Sequence, residues 1–468
     1  MFEAESLFAL LRQTVEPSSA ATIESLIAES PDHKLVRINV VALATEQHLD
    51  EEQTIALFLH AAKIGIFDMS WDVLCPSCGH VLDSNKTLRT IRSEDYFCAN
   101  CAEGYEPTLD EMVEITFTVS PRVRRVAAHN PDQLSPLEYL RQISFGSHLD
   151  IPTNFEAFFD EVALESLELP PGERAIISLQ MSQGLFFIVD LVTHSVQFLD
   201  VKGERTKEKQ HLAFIIDRTS IQHPKTEIRP GSLRISFENS LNRRALPVVF
   251  IASDLFRHVI KTHRPFLSAK RLLSNQTFRN IYGTETLDAD QRLKITSLTF
   301  VFTDLRGSTE LYDRIGDLAA FDLVKAHFSV LNEIVATQGG AVVKTIGDAV
   351  MATFPTPDRA LAAALRMREA MRNLNLERKR DDLLLKIGIH EGPCIAVTLN
   401  DRQDYFGQAV NIASRVQGLA TSREIFATSS VIEDVKASDV LDMKGLQPMP
   451  YKIQLRGIAD RVSVYAIP

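Results

Sequence analysis

The sequence predicts a multidomain α+β protein. It reads as a helical N-terminal segment with a zinc ribbon, a central mostly-β, sandwich-like domain and a C-terminal ferredoxin-like, or palm, βαββαβ domain. Three observations carry this reading. The chain has 468 residues, which at about 150 residues per domain suggests about three domains. The hydrophobic pattern changes from helical spacing to strict alternation near residue 111. The last part runs strand, helix, two strands joined at a tight turn, helix, strand.

Composition narrows the class. The chain is 45% hydrophobic and 24% charged, near globular averages, which excludes wholesale disorder and fibrous classes. Lys+Arg total 50 against Asp+Glu 61, a net charge of -11. That balance argues against a general nucleic-acid partner, because phosphate binding relies on Lys/Arg counterion release. No stretch approaches the roughly 20 apolar residues that cross a bilayer. The start, MFEAESLFALL, places acids where a signal peptide needs Lys or Arg. A soluble, cytoplasmic protein with no membrane partner is expected.

Residues 1–74 read as helices. LFALLRQTV, ATIESLIAES and DEEQTIALFLHAAKIG each place apolar residues at i, i+3 and i+4. Asp50 is a natural cap for the third, and Gly65 a natural stop. Residues 75–110 follow as the zinc ribbon. Four of the five cysteines form two pairs, Cys75/Cys78 in CPSC and Cys98/Cys101 in CANC, with 19 residues between. This spacing matches a four-thiolate zinc site. Such closed sites are structural, since no coordination position is left for substrate. A redox role is disfavoured by the reducing cytosol. His80 reads as a loop histidine and Cys394 as a packed thiol.

Residues 111–255 read as the mostly-β domain. VEITFTV, AIISLQM, LFFIVDLV, VQFLDV, SLRISFEN and PVVFIAS alternate and are separated by Gly, Asn and Ser turns. A helical insert is expected over 136–143. No catalytic constellation is visible in this domain. Residues 256–292, with short helical pieces such as SAKRLLS, read as a connector. The runs RVRR (122–125) and ERKR (377–380) read as solvated turns.

Residues 293–468 form the last domain. A strand is expected over 296–302 and one long amphipathic helix over 308–336, ending at Gly339-Gly340. Strands over 341–346 and 349–354 meet at Gly347-Asp348, a hairpin signal. A helix over 358–374, with Asp358 near its cap, precedes a strand over 383–390. In a palm sheet, the end of the first strand and the central hairpin turn lie side by side. Asp304 in FTDLRGST and Asp348 in KTIGDAV would then face one point. Paired carboxylates suit divalent metals that also carry phosphate oxygens. Gly307, Ser308 and Thr309 open the following helix, and free amides at a helix start suit phosphate.

Residues 296–467 resemble a class III nucleotidyl cyclase catalytic domain. FTDLRGSTEL, VVKTIGDAVMATF, IGIHEGP and DYFGQAVNIASR carry the resemblance, in the family's order. It implies that two such domains pair head to tail with sites at their interface. It implies that Asp304, Asp348 and the carbonyl of Leu305 hold two Mg²⁺ (or Mn²⁺). Asn411 and Arg415 resemble the pair that orients the ribose and stabilises the transition-state phosphate. Arg456, in LRGI, falls where the family often places a phosphate-contacting Lys. Lys344 and Asp404 fall at the base-reading positions. A Lys donor and an Asp acceptor match the N1 and 6-amino group of adenine, and mismatch guanine. The resemblance therefore implies an adenylate cyclase that turns ATP into cyclic AMP and pyrophosphate in a homodimer. His390, in GIHEGP, is given no catalytic role.

FDMSWDVLCPSCG, CANC and VEITFTV resemble an uncharacterised region found ahead of some bacterial class III cyclases. That likeness covers roughly 30–250 and implies a regulatory role. Three other readings are weaker. A silent nucleotide-binding regulator would have lost a metal Asp or the Arg. A transcription factor would need a Lys/Arg stripe on the ribbon. A diguanylate cyclase would carry acids after Gly339-Gly340, where Ala-Val-Val stands. A guanylate cyclase is opposed only by Lys344 and Asp404.

Overall fold

The computed structural model describes residues 2–217, 222–283, 287, 291–307, 313–377, 384–399, 402–421 and 424–468. Contacts divide the chain into two compact units. The first holds Met1–Lys86, Glu94–Pro107 and Glu114–Leu267; the second holds Thr87–Ser93, Thr108–Val113 and Ser268–Pro468.

The first unit begins with helices α1 (Phe2–Thr14), α2 (Pro17–Glu29), α3 (Val40–Glu46) and α4 (Glu51–Ile64). The Asp50 carboxylate accepts from the Gln53 amide at 2.8 Å, and Gly65 ends α4 with φ 94°. The next stretch departs from the helical reading. Residues Phe67–Leu74 form strand β1, flanked by β2 (Val81–Asn85) and β5 (Val113–Val119) in one sheet. Pairing on both sides, with Phe67, Trp71 and Val73 buried, overrides local helical preference. Arg37 ties this sheet from inside, 3.1 Å from both Asp72 and Glu114, which are fully buried. The RVRR run is also more than a solvated turn. Arg124 donates to the carbonyls of Ile27 and Ser30 and pairs with Asp32 at 2.7 Å, so it closes the C-terminal end of α2.

Cys75 and Cys78 lie between β1 and β2, and Cys98 and Cys101 in the hairpin of β3 (Tyr96–Cys98) and β4 (Glu103–Tyr105). Beyond them come α5 (Pro136–Tyr139), continued by a wider turn over Leu140–Ser144, and α6 (Phe155–Val162). The β sandwich then follows. One sheet is β10 (Gln210–Ile216), β12 (Gly231–Asn239) and β7 (Arg174–Met181). The other is β11 (Gln222–Ile228), β9 (Val196–Val201), β8 (Gly184–Asp190), β13 (Pro247–Ile251) and β6 (Ala163–Ser166). Inward residues of both sheets share a core that includes Ile188, Leu199, Phe214 and Phe237. The other face of the larger sheet packs on α6 and α7 (Asp254–Lys261). VEITFTV, read with the sandwich strands, instead belongs to the β1 sheet.

The second unit contains α8 (Ala269–Leu273) and α9 (Gln276–Ile281), then the palm. Its elements are β14 (Leu293–Leu305), α10 (Asp317–Thr337), β15 (Ala341–Ile346), β16 (Ala349–Phe354), α11 (Pro357–Glu377) and β17 (Leu385–Leu399). These four strands lie in the order β15-β16-β14-β17, as βαββαβ requires. The sheet extends through β19 (Ile425–Thr428), β21 (Arg461–Ile467) and β20 (Met449–Gln454). β18 (Arg402–Phe406) pairs with the far end of β17. The single helix expected over 308–336 is not continuous. Residues 308–312 lie outside the described residues, 313–315 are helical, and Gly316 at φ 79° precedes α10. Among the described residues no helix is long and apolar enough to cross a membrane.

Helices α10 and α11 cover one face of the sheet. Helix α12 (Gln408–Gln417) lies on the other, where Val416 packs with Phe426, Val464 and Ala466. The remaining helices are α13 (Ser429–Ile432) and α14 (Val435–Met443). Helix α12 approaches β17 closely because residue 388 is glycine. A Cβ there would lie 2.1 Å from the Gln417 amide nitrogen and 2.4 Å from its Cα. Backbone cannot give way as a flexible side chain can. Gly388→Ala is therefore expected to shift α12 outward and destabilise the unit by about 2 kcal/mol. Hydrogen exchange on α12 and thermal unfolding test this. Unchanged protection and midpoint would show the close approach to be dispensable.

Candidate active site

Strand order places Asp304, near the end of β14, beside the β15–β16 turn that carries Asp348. The Leu305 amide donates to Asp348 Oδ2 at 3.2 Å. Lys386 stands directly opposite Asp304 across β14 and β17, with Nζ 3.7 Å from Oδ2. Burial raises the Asp304 pKa above the usual carboxylate range, and the charge of Asp348 adds to that rise. Lys386 and a hydrogen bond from Gln417 oppose it. Two acids that repel each other in a half-buried notch are a fit for divalent cations. Gly307 lies in the exposed turn that follows, at φ 68°. Ser308 and Thr309 fall outside the described residues.

The notch has a floor that the sequence did not reveal. His327 of α10 is fully buried, and its ring faces the backbone of Asp348. Burial lowers its pKa to about 4, against a pull from Asp348. A neutral imidazole thus lies under the turn that carries Asp348.

Lys344 and Asp404 meet. Lys344 Nζ lies 2.5 Å from Asp404 Oδ2, and the second carboxylate oxygen accepts from the Tyr405 amide at 2.8 Å. Lys344 follows a bulge in β15, where register slips between Val342 and Lys344. The carboxylate is largely buried while the ammonium is exposed. Sequence reasoning missed what holds these strands together. Arg279, in the segment read as a connector, donates to the carbonyls of Val343 at 3.3 Å and Gln403 at 3.1 Å. Gln276 on the same helix accepts from the Val342 amide at 2.8 Å. Helix α9 is thus a clamp on both strands that carry the pair.

Asn411 and Arg415 project from α12, the first exposed and the second half-buried. One terminal nitrogen of Arg415 is buried without a hydrogen-bond partner among the described residues. Gly457, at φ 73°, lies against this guanidinium; a Cβ there would sit 3.4 Å from both terminal nitrogens. Arg456 occupies the same turn, exposed, so the structure brings its backbone close to Arg415. His390 is no part of this group. It hydrogen-bonds Thr428 at 2.8 Å, and burial drops its pKa to about 4. Cys394 is buried, its pKa pushed up to about 12.

In the first unit the four cysteine sulfurs converge. All lie within 4.8 Å of one another, with Cys75–Cys101 at 3.6 Å and Cys78–Cys98 at 3.7 Å. Hydrogen bonding from Cys101 pulls Cys75 toward thiolate while the same crowding holds the proton on Cys78. His80 is buried, and its Nε2 lies 3.1 Å from His194 Nδ1, so it is a packed histidine and not a loose loop residue.

A palm sheet with two carboxylates at adjoining strand ends, a Lys–Asp pair and an Asn/Arg helix defines a class III nucleotidyl cyclase catalytic domain. Residues 291–466 match the family model described as Adenylate and Guanylate cyclase catalytic domain. Residues 1–280, more than half of the chain, match the Family of unknown function (DUF5939), and the chain belongs to that family. An adenylate cyclase of Anabaena cylindrica is 28% identical over 185 residues, 36% of this chain and 36% of the relative. Guanylate cyclase 32E of Drosophila melanogaster is 27% identical over 173 residues, 34% of this chain and 15% of the relative. The chain spans little more than a third of the length of the first and about a seventh of the second. The crystal structure of the adenylyl cyclase CyaB from P. aeruginosa aligns with a TM-score of 0.34 and 24% identity, over 38% of this chain and 96% of that one.

The raised pKa of Asp304 has a consequence for stability. An acid whose folded pKa lies above its unfolded value opposes folding once ionised. The penalty is absent below the unfolded pKa, about 4, and complete above the folded one. Without metal, Asp304→Asn is therefore expected to raise the thermal midpoint at neutral pH, with the gain vanishing as pH falls toward 4. A gain that persists at low pH would contradict the assignment.

Proposed function

We propose that the catalytic unit is an adenylate cyclase, converting ATP to 3′,5′-cyclic AMP and pyrophosphate. The observation that carries this reading is the Lys344–Asp404 pair. It offers a donor and an acceptor side by side, the complement of the adenine edge. Asp304, Asp348 and the Leu305 carbonyl would hold two Mg²⁺ (or Mn²⁺). Such ions supply an activated 3′-hydroxyl and neutralise the triphosphate. Asn411 orients the ribose. Arg415, whose guanidinium has a nitrogen to spare, donates to the α-phosphate as charge builds there. Arg456 adds a cation beside it, and Gly307, with Ser308 and Thr309 outside the described residues, is assigned to phosphate binding.

The complete site is shared in a homodimer. One chain supplies Asp304 and Asp348; its mate supplies Lys344, Asp404, Asn411 and Arg415. The upstream region, residues 1–280, is read as regulatory because it is a separate non-catalytic module joined to a cyclase domain.

Product separation after incubation with ATP or GTP and Mg²⁺ or Mn²⁺ tests this. Cyclic AMP that vanishes in Asp348→Ala is the expected outcome. Arg415→Ala is expected to raise the barrier by about 3 kcal/mol. Mixed Asp304→Ala and Lys344→Ala chains should recover activity through one intact site per heterodimer. Cyclic GMP would keep the fold and overturn the base assignment, and absent rescue would overturn the shared site. An unchanged rate for residues 293–468 alone would remove the regulatory reading.

The cysteine cluster is proposed to hold one structural Zn²⁺ on Cys75, Cys78, Cys98 and Cys101. A tetrahedral site with zinc–sulfur bonds of about 2.3 Å has sulfurs about 3.8 Å apart. The two measured separations of 3.6 and 3.7 Å suit it. Elemental mass spectrometry should find about one zinc per chain, lost in Cys98→Ser together with thermal stability. Protein purified under reducing conditions without metal would overturn this.

A further inference from the structure

The catalytic unit holds a second concentration of like charge, far from neutral and unused by the site above. Helices α11 and α14 enclose a cleft of about 370 Å³. Arg366, Arg368 and Arg372 line it from α11, and Lys444 from the end of α14. Glu369 is the only acid among the described lining residues. This clustering stands out in a chain of net charge -11.

Arg366, Arg372 and Lys444 are exposed and Arg368 is half-buried. Among the described residues, none of the four is ion-paired with a carboxylate. The hydrogen bond made by Arg368 goes to a neutral acceptor, the Ile467 carbonyl, at 3.2 Å. Burial, and then the charge of Arg372, lower its pKa. Exposed cations repel weakly in water, but a recessed group between protein walls feels the summed field. The arrangement is short of an anion.

We propose that this cleft binds an oligophosphate, at a site separate from the nucleotide site. Three guanidinium forks and an ammonium exceed what one phosphate can satisfy. Two or three linked phosphates match them, because each guanidinium can engage phosphate oxygens in pairs. The ligand is either free pyrophosphate or the triphosphate tail of a nucleotide. Helix α11 lies on the sheet face opposite α12, so an anion here does not occupy the catalytic face. Arg368, which lines the cleft, nevertheless donates to the Ile467 carbonyl of β21, the strand that begins just after the Arg456–Gly457 turn against Arg415.

Equilibrium dialysis of the full chain, with EDTA present to suppress metal-dependent binding at the nucleotide site, tests this. The probes are labelled pyrophosphate, inorganic triphosphate, ATP and phosphate. One saturable oligophosphate site per chain is expected, weakening with salt. Arg366→Gln/Arg372→Gln should weaken it by about tenfold or more, while Lys344→Ala leaves it unchanged. Both arginines are exposed, and an unchanged thermal midpoint will certify the fold of the double variant. Tighter pyrophosphate than ATP would identify the free anion as ligand; the reverse would identify the nucleotide tail. No saturable binding, or binding lost in Lys344→Ala and kept in the double variant, would overturn the proposal. So would capture of anionic vesicles or an acidic peptide through these arginines without oligophosphate binding. Because the readout is binding without metal, the outcome is independent of which cyclic nucleotide the enzyme makes.

Discussion

Two carboxylates held at adjoining strand ends set the terms for the catalytic unit. Asp304 and Asp348 come from distant parts of the sequence, and only the palm strand order brings them together. Their mutual repulsion and partial burial disfavour the metal-free fold. The neighbours soften this without removing it. The Leu305 amide donates to Asp348, and Lys386 stands across from Asp304 at a distance too long for a tight pair. A closer lysine would neutralise the pair, and on the proposed reading it would displace the cations; the instability at this notch would then serve function.

What the sequence made legible follows from how local the signal was. The palm order rested on helical and alternating periods within each element, and those depend on burial of one face alone. Asp304, Asp348 and the Asn411–Arg415 face stood out because each sits in a short run with its own turn or helix signal. Strand β1 was misread because its partners lie far away in sequence; only pairing with β2 and β5 makes 67–74 extended. Arg124 was misread because a basic run looks solvated until the end of α2, about a hundred residues earlier, presents its carbonyls. Gly388 and His327 carried no signal at all. A glycine in a strand or a histidine on an apolar helix face acquires meaning only from what packs against it.

The segment read as a connector changes most under this light. Helix α9 is six residues long, yet it reaches the backbone of both strands that carry the base-reading pair. Backbone carbonyls are fixed acceptors, so a guanidinium bridging two of them sets the strand separation. A small displacement of α9 would alter the spacing of Lys344 and Asp404 without touching either side chain. That makes α9 a lever within the catalytic unit on the Lys344–Asp404 spacing. Specificity and regulation would then share one element.

On the proposed adenylate cyclase reading, the Lys344–Asp404 pair would discriminate before substrate arrives. In the free chain each group satisfies the other, so neither is left as an unpaired buried charge. Adenine entering between them exchanges one set of hydrogen bonds for another, and the net change is small. Guanine presents a donor to the lysine and an acceptor to the carboxylate. It would break the pair and return nothing. On that reading, selectivity would come less from strong contacts to adenine than from the loss a mismatched base inflicts on a pair already complete, with Asp404 already held by the Tyr405 amide.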